Sequence, residues 1–175
     1  MIGLVHRLSV RGKGADPAEL RSLYERRLGD FRRVATAVAG GSEEGKDAVQ
    51  EAFAKAIARR RQYRGESPLE AWVWRIILNE AKAQARAQPR ARTRQDGDFG
   101  EAPAPSPERE RLAEVRDALA RLPERERLAL FLRYFADLDY AQIAAVLDVK
   151  SGTVGASLNS GRARLGRLLE EGDAK

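Results

Sequence analysis

Apolar residues recur three and four positions apart along most of the chain, which predicts α-helices and no sheet. The first helix begins at Asp16–Pro17, an N-cap followed by a proline, and ends before Gly40–Gly41. A second helix starts at Ser42, which we expect to cap it, and has Val49, Phe53, Ala56 and Ile57 on its apolar face. A third helix runs from Ser67–Pro68 to about Ala87, with an apolar face made by Leu69, Trp72, Val73, Ile76 and Ile77.

Residues 89–106 interrupt this pattern with proline, glycine and charged residues, and they predict a flexible linker. Two further helices follow, one to about Arg121 and one restarting at Pro123. We therefore expect an all-α fold of two small helical domains, residues 16–88 and 107–171. Residues 1–15 are expected to form a flexible N-terminal tail.

The second domain ends in a helix-turn-helix pattern. Ile143, Ala144 and Leu147 mark the inner face of a short helix, and Val154 and Leu158 begin the buried stripe of the next one, which Gly161 and Leu165 continue. Ser151 is expected to cap this last helix. A helix supported in this way can enter a DNA major groove, although the same pattern also suits an ordinary helical hairpin.

The composition narrows the chemistry. The net charge is +6 and the pI is near 10, which suits a polyanionic partner. The chain has no cysteine and one histidine, His6, so thiolate chemistry is excluded and zinc or histidine catalysis is poorly supported. We expect no cofactor, no metal and no catalytic residues. No apolar run is long enough to span a membrane, and a cytoplasmic location is expected.

Two polar surfaces are predicted on the first domain. Asp47, Gln50 and Glu51 share one face of the second helix, and this acidic patch could bind a basic helical partner. The third helix has a basic stripe, whose members are Arg75, Asn79, Lys82 and Arg86. Arginine and lysine neutralise phosphates, and asparagine can read a base edge. In both cases the alternative is an ordinary solvated helix face.

The loop before the third helix is glycine-containing and polar, and it could hold a base turned out of the stack. Its residues are Arg64, Gly65, Glu66 and Ser67. The alternative is a structural loop.

The last helix should present short side chains outward. Asn159 and Ser160 can hydrogen-bond bases, whereas Lys150, Thr153, Arg162 and Arg164 are better placed for phosphates. The complete candidate DNA-reading set is Lys150, Ser151, Gly152, Thr153, Ala156, Asn159, Ser160, Arg162 and Arg164. With so few base-reading groups, we expect this contact to depend on the DNA backbone and shape.

Several motifs resemble those of sigma-70 family factors of the extracytoplasmic-function (ECF) group. The segments that resemble sigma region two are Lys46–Phe53, Tyr63–Ser67, Ala71–Ile76 and Asn79. The segments that resemble region four are Leu122–Arg127, Tyr140–Ala144, Gly152–Val154 and Arg162–Leu165. Both sets occur in the family's order with a linker between them.

The resemblance implies a transcription initiation factor and its partners. The acidic patch would bind the clamp of bacterial core RNA polymerase, with the flap as a second contact. The basic stripe and the 64–67 loop would take the non-template strand of the promoter minus-ten element, and the last helix the minus-thirty-five element. The family often has an anti-sigma protein as a further partner. Relatives often have a glycine at the position of Asp148, which tolerates a left-handed backbone at small cost.

The tryptophans carry a further expectation. Trp72 is expected to pack in the core, and Trp74 is left unassigned. Strongly melting family members have tryptophans where this chain has Arg75 and Ile76. The chain is therefore expected to melt DNA modestly and to need a good promoter sequence.

Two other functions remain open at this point. The first is a stand-alone helix-turn-helix regulator that binds duplex DNA as a dimer. The polar surfaces of the first domain, and its lack of a plain apolar dimer seam, argue against that regulator. The second is a small α-helical enzyme that uses Glu66 and Glu70 as acid and base. No histidine, cysteine or metal cluster in the sequence supports such an enzyme.

Overall fold

The computed structural model describes residues 14–87 and 107–173, and within these ranges all regular structure is helical. The expected all-α fold is confirmed. The elements are α1 (Pro17–Ala39), α2 (Ser42–Ala58), a 3-10 turn (Arg60–Gln62), α3 (Leu69–Ala87), α4 (Pro107–Ala120), α5 (Glu124–Tyr134), α6 (Tyr140–Leu147) and α7 (Ser151–Asp173). The predicted linker, and all of the predicted tail except Gly14 and Ala15, lie outside the described residues.

The helix termini follow local chemistry. Asp16 accepts a hydrogen bond from the Ala18 amide at 2.9 Å, and Gly40 ends α1 in the left-handed region at φ 92°. The two serine caps were predicted wrongly. Ser42 is already the first residue of α2, which has Gly41 at its N-cap and no side-chain cap. Ser151 is likewise the first residue of α7. The carbonyl of the preceding residue, Lys150, accepts a hydrogen bond from the Thr153 amide.

Helices α1, α2 and α3 form a bundle with an aromatic core. Phe31 contacts Trp74 edge-on, with ring centroids 4.6 Å apart, and lies 5.5 Å from the Phe53 ring. Ala15 is buried, and its amide donates to the Arg60 carbonyl at 2.7 Å. The bundle therefore includes a residue that the sequence analysis had assigned to the tail.

A glycine sets the distance between α1 and α2. A Cβ added to Gly45 would lie 2.4 Å from the Thr36 Oγ1 atom and 2.6 Å from its backbone nitrogen. Because the second of these atoms is backbone, a rotamer change cannot relieve the overlap. Only glycine fits this crossing without moving one helix.

The buried face of α3 is rotated from the one predicted. The buried residues include Trp74, Ile77, Leu78 and Ala81, which follow one helical stripe. Trp72, expected in the core, is half-buried at the surface of the bundle. Val73 and Ile77 are buried as predicted, whereas Leu69, Trp72 and Ile76 are only partly buried.

Ile57 was also predicted to lie on a buried face, and it is 50% exposed. Ala56 occupies the buried position in that turn of α2. The next residue along a helix is rotated by about 100°, so Ile57 turns toward solvent.

The second unit is built around α5, α6 and α7. Val154, Leu158 and Gly161 face inward as predicted, and Gly161 allows α5 to approach closely because its Cβ position is 3.2 Å from Leu130 Cδ1. Between α6 and α7, Asp148 adopts the left-handed conformation at φ 56°. The turn expected from the sequence is therefore formed.

The two units pack against each other, with α6 lying against α3 and α5 near α1. Arg27 donates to the Ala136 carbonyl at 2.9 Å, and Arg33 donates to the Phe135 carbonyl at 3.3 Å. These contacts hold α6 and the connection before it against the first unit.

Candidate nucleic-acid and polymerase interface

The acidic patch lies on the solvent side of α2. Asp47, Gln50 and Glu51 are all exposed, whereas Val49 and Phe53 are buried on the opposite side. The structure therefore brings the three predicted residues together on one open face. Such a face can approach a basic partner without disturbing the core.

An ion-pair network borders the acidic patch. Lys55 Nζ lies 2.6 Å from Glu80 Oε2 on α3 and 3.4 Å from Glu51 Oε1. The hydrogen bond that Lys55 donates to Glu80, with a smaller contribution from Glu51, raises the pKa of Lys55. Ile57 lies seven residues after Gln50 on the same helix and adds an exposed apolar group beside the patch. The apolar periodicity of α2 predicts a buried Ile57, so its place on this surface follows only from its observed exposure.

The basic stripe runs along α3, but its members differ in availability. Asn79 and Arg86 are exposed. Arg75 is half-buried, donates from Nη2 to the Ser67 hydroxyl at 2.7 Å, and has a buried Nε with no hydrogen-bond partner. Lys82 pairs with Glu124 of the second unit at 2.5 Å. Asn79 is thus the member best placed to meet a base in the observed arrangement.

The 64–67 loop is supported by the aromatic side chains of Tyr63 and Trp72. The Tyr63 hydroxyl donates to the Ser67 carbonyl at 2.7 Å, and its ring lies 5.4 Å from that of Trp72. Gly65 takes a left-handed conformation at φ 72°, which favours glycine at this point of the loop. Burial, and then the charge of Glu19, raise the pKa of Tyr63 and so further favour the protonated hydroxyl that donates to Ser67.

Tyr63 is a residue whose positioning role the sequence analysis missed. Its motif was recognised, but nothing in the sequence says that the hydroxyl reaches the carbonyl four residues later. Trp72, expected in the core, instead contacts the same tyrosine with its ring tilted by 48° and helps to hold the loop.

A cavity of about 610 Å³ lies beside this loop. Side chains from the first unit form most of its wall, including Arg64, Glu66, Trp72 and Arg75. The remaining wall comes from α6 and its following turn, at residues 144, 145, 148 and 149. An aromatic surface beside an arginine suits a base turned out of a strand.

The outward face of α7, which we call the recognition face for its expected role, has short side chains. Gly152, Ala156, Asn159, Ser160 and Ala163 are all exposed, as predicted from the inward stripe. Lys150, Ser151, Arg162 and Arg164 are exposed as well, and Thr153 is half-buried. The candidate DNA-reading set thus lies on the exposed part of α7 and its preceding turn, with Thr153 at its edge.

Two neighbours change the electrostatics of that face. Arg164 lies 3.2 Å from Glu126 of α5, so part of its charge is already compensated. Arg125, which the sequence analysis did not select, lines a shallow groove with Thr153, Ala156 and Ser160. This arginine adds a cation to the recognition face, and only the packing of α5 across α7 could have revealed it.

Within the residues that the structure describes, no group of histidine, cysteine, aspartate and glutamate side chains could hold a metal ion. A search of the same part of the chain finds no helix long and apolar enough to cross a membrane.

Comparison with known families accounts for both units. Sigma-70 region 2 matches residues 23–91, and sigma-70 region 4 matches residues 112–165. The RNA polymerase sigma-H factor of Pseudomonas aeruginosa is 35% identical over 144 residues, covering 74% of this chain and 75% of the relative. The chain belongs to the sigma-70 family of RNA polymerase sigma factors.

Further relatives place the chain in the ECF group. The ECF RNA polymerase sigma factor SigM of Mycobacterium tuberculosis is 29% identical over 147 residues, covering 84% of this chain and 75% of the relative. A solved structure of the sigma factor RpoE with the anti-sigma factor NepR from Bartonella quintana matches with a TM-score of 0.63 at 27% identity. That match covers 87% of this chain and 97% of RpoE. The chain is an ECF-type, promoter-recognising sigma factor.

Proposed function

We propose that the three surfaces divide the work of initiation between the two units. The acidic patch on α2 binds the clamp of core RNA polymerase. The basic stripe and the 64–67 loop take the non-template strand of the minus-ten element and help to open the DNA. The recognition face of α7 binds the minus-thirty-five element, and the polymerase flap contacts the second unit. Residues 16–88 and 107–171 are the two functional domains.

The observation that carries this proposal is the arrangement of the first unit. Most of its apolar side chains are buried in the core, so the acidic patch on α2 and the exposed Asn79 and Arg86 on α3 are left facing outward. A regulator that used only its helix-turn-helix would need neither surface. The chain is expected to act in the bacterial cytoplasm without a catalytic site, and an anti-sigma protein of the kind seen with RpoE is a further expected partner.

The polymerase contact can be tested with a double variant that keeps side-chain size. Asp47→Asn with Glu51→Gln removes two charges from the acidic patch. We expect binding to purified core polymerase to weaken about tenfold, because complementary charge at an interface supports both encounter and affinity. The measurement is competition against the fluorescently labelled wild-type chain.

A matched control removes the same charge elsewhere. Glu25→Gln with Glu114→Gln changes two exposed acids outside α2 and is expected to bind polymerase like the wild type. Equal weakening by both double variants would reduce the effect to net charge and overturn the assignment of the patch.

A further inference from the structure

Arg75 belongs to the basic stripe of α3, but its contacts are made within the protein. Its Nη2 atom donates to the Ser67 hydroxyl at 2.7 Å, and its Nε atom is buried without a hydrogen-bond partner. The residue as a whole is half-buried, unlike Asn79 and Arg86 further along the stripe. A phosphate contact needs a cation that reaches out to the backbone of the DNA strand. The geometry of Arg75 therefore points to a different role.

The contact with Arg75 fixes the direction of the Ser67 hydroxyl hydrogen. A guanidinium group has five N–H donors and no acceptor, so the Ser67 oxygen can only accept from it. The hydroxyl hydrogen must then point away from Arg75. Among the residues that the structure describes, no group accepts a hydrogen bond from this hydroxyl. Ser67 therefore keeps one donor available for a ligand.

A second contact holds the backbone of the same serine. The Tyr63 hydroxyl donates to the Ser67 carbonyl at 2.7 Å, and the Tyr63 ring lies against that of Trp72. Ser67 is thus held at its side chain by α3 and at its backbone by Tyr63. Ser67 and Arg75 both line the cavity beside the 64–67 loop. The available donor is therefore fixed in the wall of this cavity.

We propose that Arg75 is a positioning residue for base recognition, which holds the Ser67 hydroxyl as a hydrogen-bond donor toward a base turned into the cavity. The atom recognised is an acceptor of that base, either a carbonyl oxygen or a ring nitrogen. The inference rests on the proposed function, because it concerns how the 64–67 loop selects its base. It replaces the phosphate contact expected for Arg75 as a member of the basic stripe.

The first test measures base preference at each position of a DNA strand. The probe is a pool of single-stranded DNA 12-mers of random sequence, mixed with holoenzyme made from the full chain and purified core polymerase. The bound oligonucleotides are sequenced, and the preferences of core polymerase alone are subtracted. Ser67→Ala should reduce the preference of the wild type at one position by about threefold to tenfold, which is the value of one hydrogen bond.

Substitutions of Arg75 test the positioning role. Arg75→Met keeps a long unbranched side chain without an N–H donor, and it should reduce the preference at the same position. Combined with Ser67→Ala it should cause no further loss, because both changes act through one hydrogen bond to the base. Arg75→Lys restores a donor that has no acceptor, and it should recover part of the preference. A residue that only stabilised the fold would lower the binding of all sequences alike.

The second test asks whether Arg75 contacts a phosphate. The affinity of the same holoenzymes for a fluorescein-labelled, mixed-sequence, single-stranded DNA 12-mer is measured by anisotropy at several salt concentrations. Arg75→Met should leave the slope of log affinity against log salt unchanged. Arg86→Met removes the same charge from an exposed position of α3, and it should reduce the slope by about 0.7, as expected for one phosphate contact to a single strand.

The outcomes separate this inference from the proposed function. A loss of preference at one shared position in Ser67→Ala and Arg75→Met, with an unchanged salt slope in Arg75→Met, supports the positioning role. A reduced slope with intact preference in Arg75→Met would overturn it, because Arg75 would then contact a phosphate. Intact preference in Ser67→Ala would also overturn it, and this variant removes a single loop hydroxyl without altering α3. If the wild type itself selects no base, the proposed capture of the minus-ten strand fails as well.

Discussion

In the first unit two of the cationic groups expected to meet DNA are engaged within the protein, whereas in the second unit most of the expected DNA-reading groups are exposed. Arg75 is bound to Ser67, and Lys82 is paired across the unit boundary. On α7, Gly152 and Asn159 are simply exposed. The first surface is thus preorganised around a loop and a cavity, which suits single-strand capture. The second is a smooth helix face, which suits contact with the backbone and shape of a duplex.

The largest expected effect concerns the core of the first unit. This core supports the minus-ten surface but not the recognition face of α7. Gly45→Ala should destabilise the three-helix unit by about 3 kcal/mol, because its new Cβ overlaps the backbone of Thr36. Thermal unfolding followed by circular dichroism should show that the three-helix unit unfolds at a lower temperature than in the wild type. Polymerase binding should be lost in parallel.

The matched control is Gly29→Ala on α1, where the nearest atom to the added Cβ is a mobile Arg33 Nη1 at 3.6 Å. That variant should be neutral or slightly stabilising, because alanine favours helix. If Gly45→Ala behaved in the same way, the close crossing of α1 and α2 would be contradicted.

A second prediction compares one asparagine from each unit. Asn79→Ala should lower promoter opening about tenfold, and Asn159→Ala should lower duplex affinity about tenfold, since a base-reading amide is worth about 1–3 kcal/mol. Asn79→Ala should weaken the preference for particular bases in the minus-ten element only, and Asn159→Ala should do so in the minus-thirty-five element only. The measurement is a base-by-base scan of both elements, and exchanged or shared effects would refute the division of labour.

Much of this comparison could be anticipated from the sequence. Periodicity and the Asp16, Gly40 and Asp148 signals located the helices, because these depend on local chemistry. The exposed face of α7 followed from its buried stripe.

The rotation of α3 could not be anticipated in the same way. Trp72 and Trp74 are equally apolar, and the choice between them depends on where Phe31 lies. The contributions of Arg125 and of the Lys82–Glu124 pair depend on packing between distant segments.

A third prediction sharpens the account of α7. Arg162→Gln should weaken binding to all duplex sequences and reduce the salt slope by about one, as expected for a phosphate contact. Arg164→Gln should have a smaller effect, because Glu126 already compensates part of that charge. Binding titrations at several salt concentrations provide the test. A sharp guanine preference set by either arginine would show that it reads a base instead.

A fourth prediction concerns DNA melting by the first unit. Trp74 is fully buried and cannot stack on a base, and Arg75 and Ile76 follow it. Melting power should therefore be modest, and the required match to the minus-ten sequence should be strict. Permanganate mapping should find open DNA at well-matched promoters alone. Efficient opening at promoters with diverged minus-ten elements would contradict this expectation.

The smallest expected effect is that of pH on the contact between the units. Lys82 lowers the pKa of Glu124. The contribution of Glu124 to the contact between the units is therefore complete above the ordinary pKa of 4.5, and it is lost as the pH falls through the lowered pKa. Small-angle X-ray scattering should therefore show no increase in the radius of gyration from loss of the Lys82–Glu124 pair between neutral pH and pH 5. An increase in the radius within that range would mean that another group controls the contact between the units.

The most direct test of the central claim is run-off transcription with purified core RNA polymerase on a library of genomic fragments. The account predicts a discrete set of new start sites that requires the chain, is reduced by Asn79→Ala and by Asn159→Ala, and shares two spaced promoter elements. Start sites that do not change when the chain is added would contradict the account.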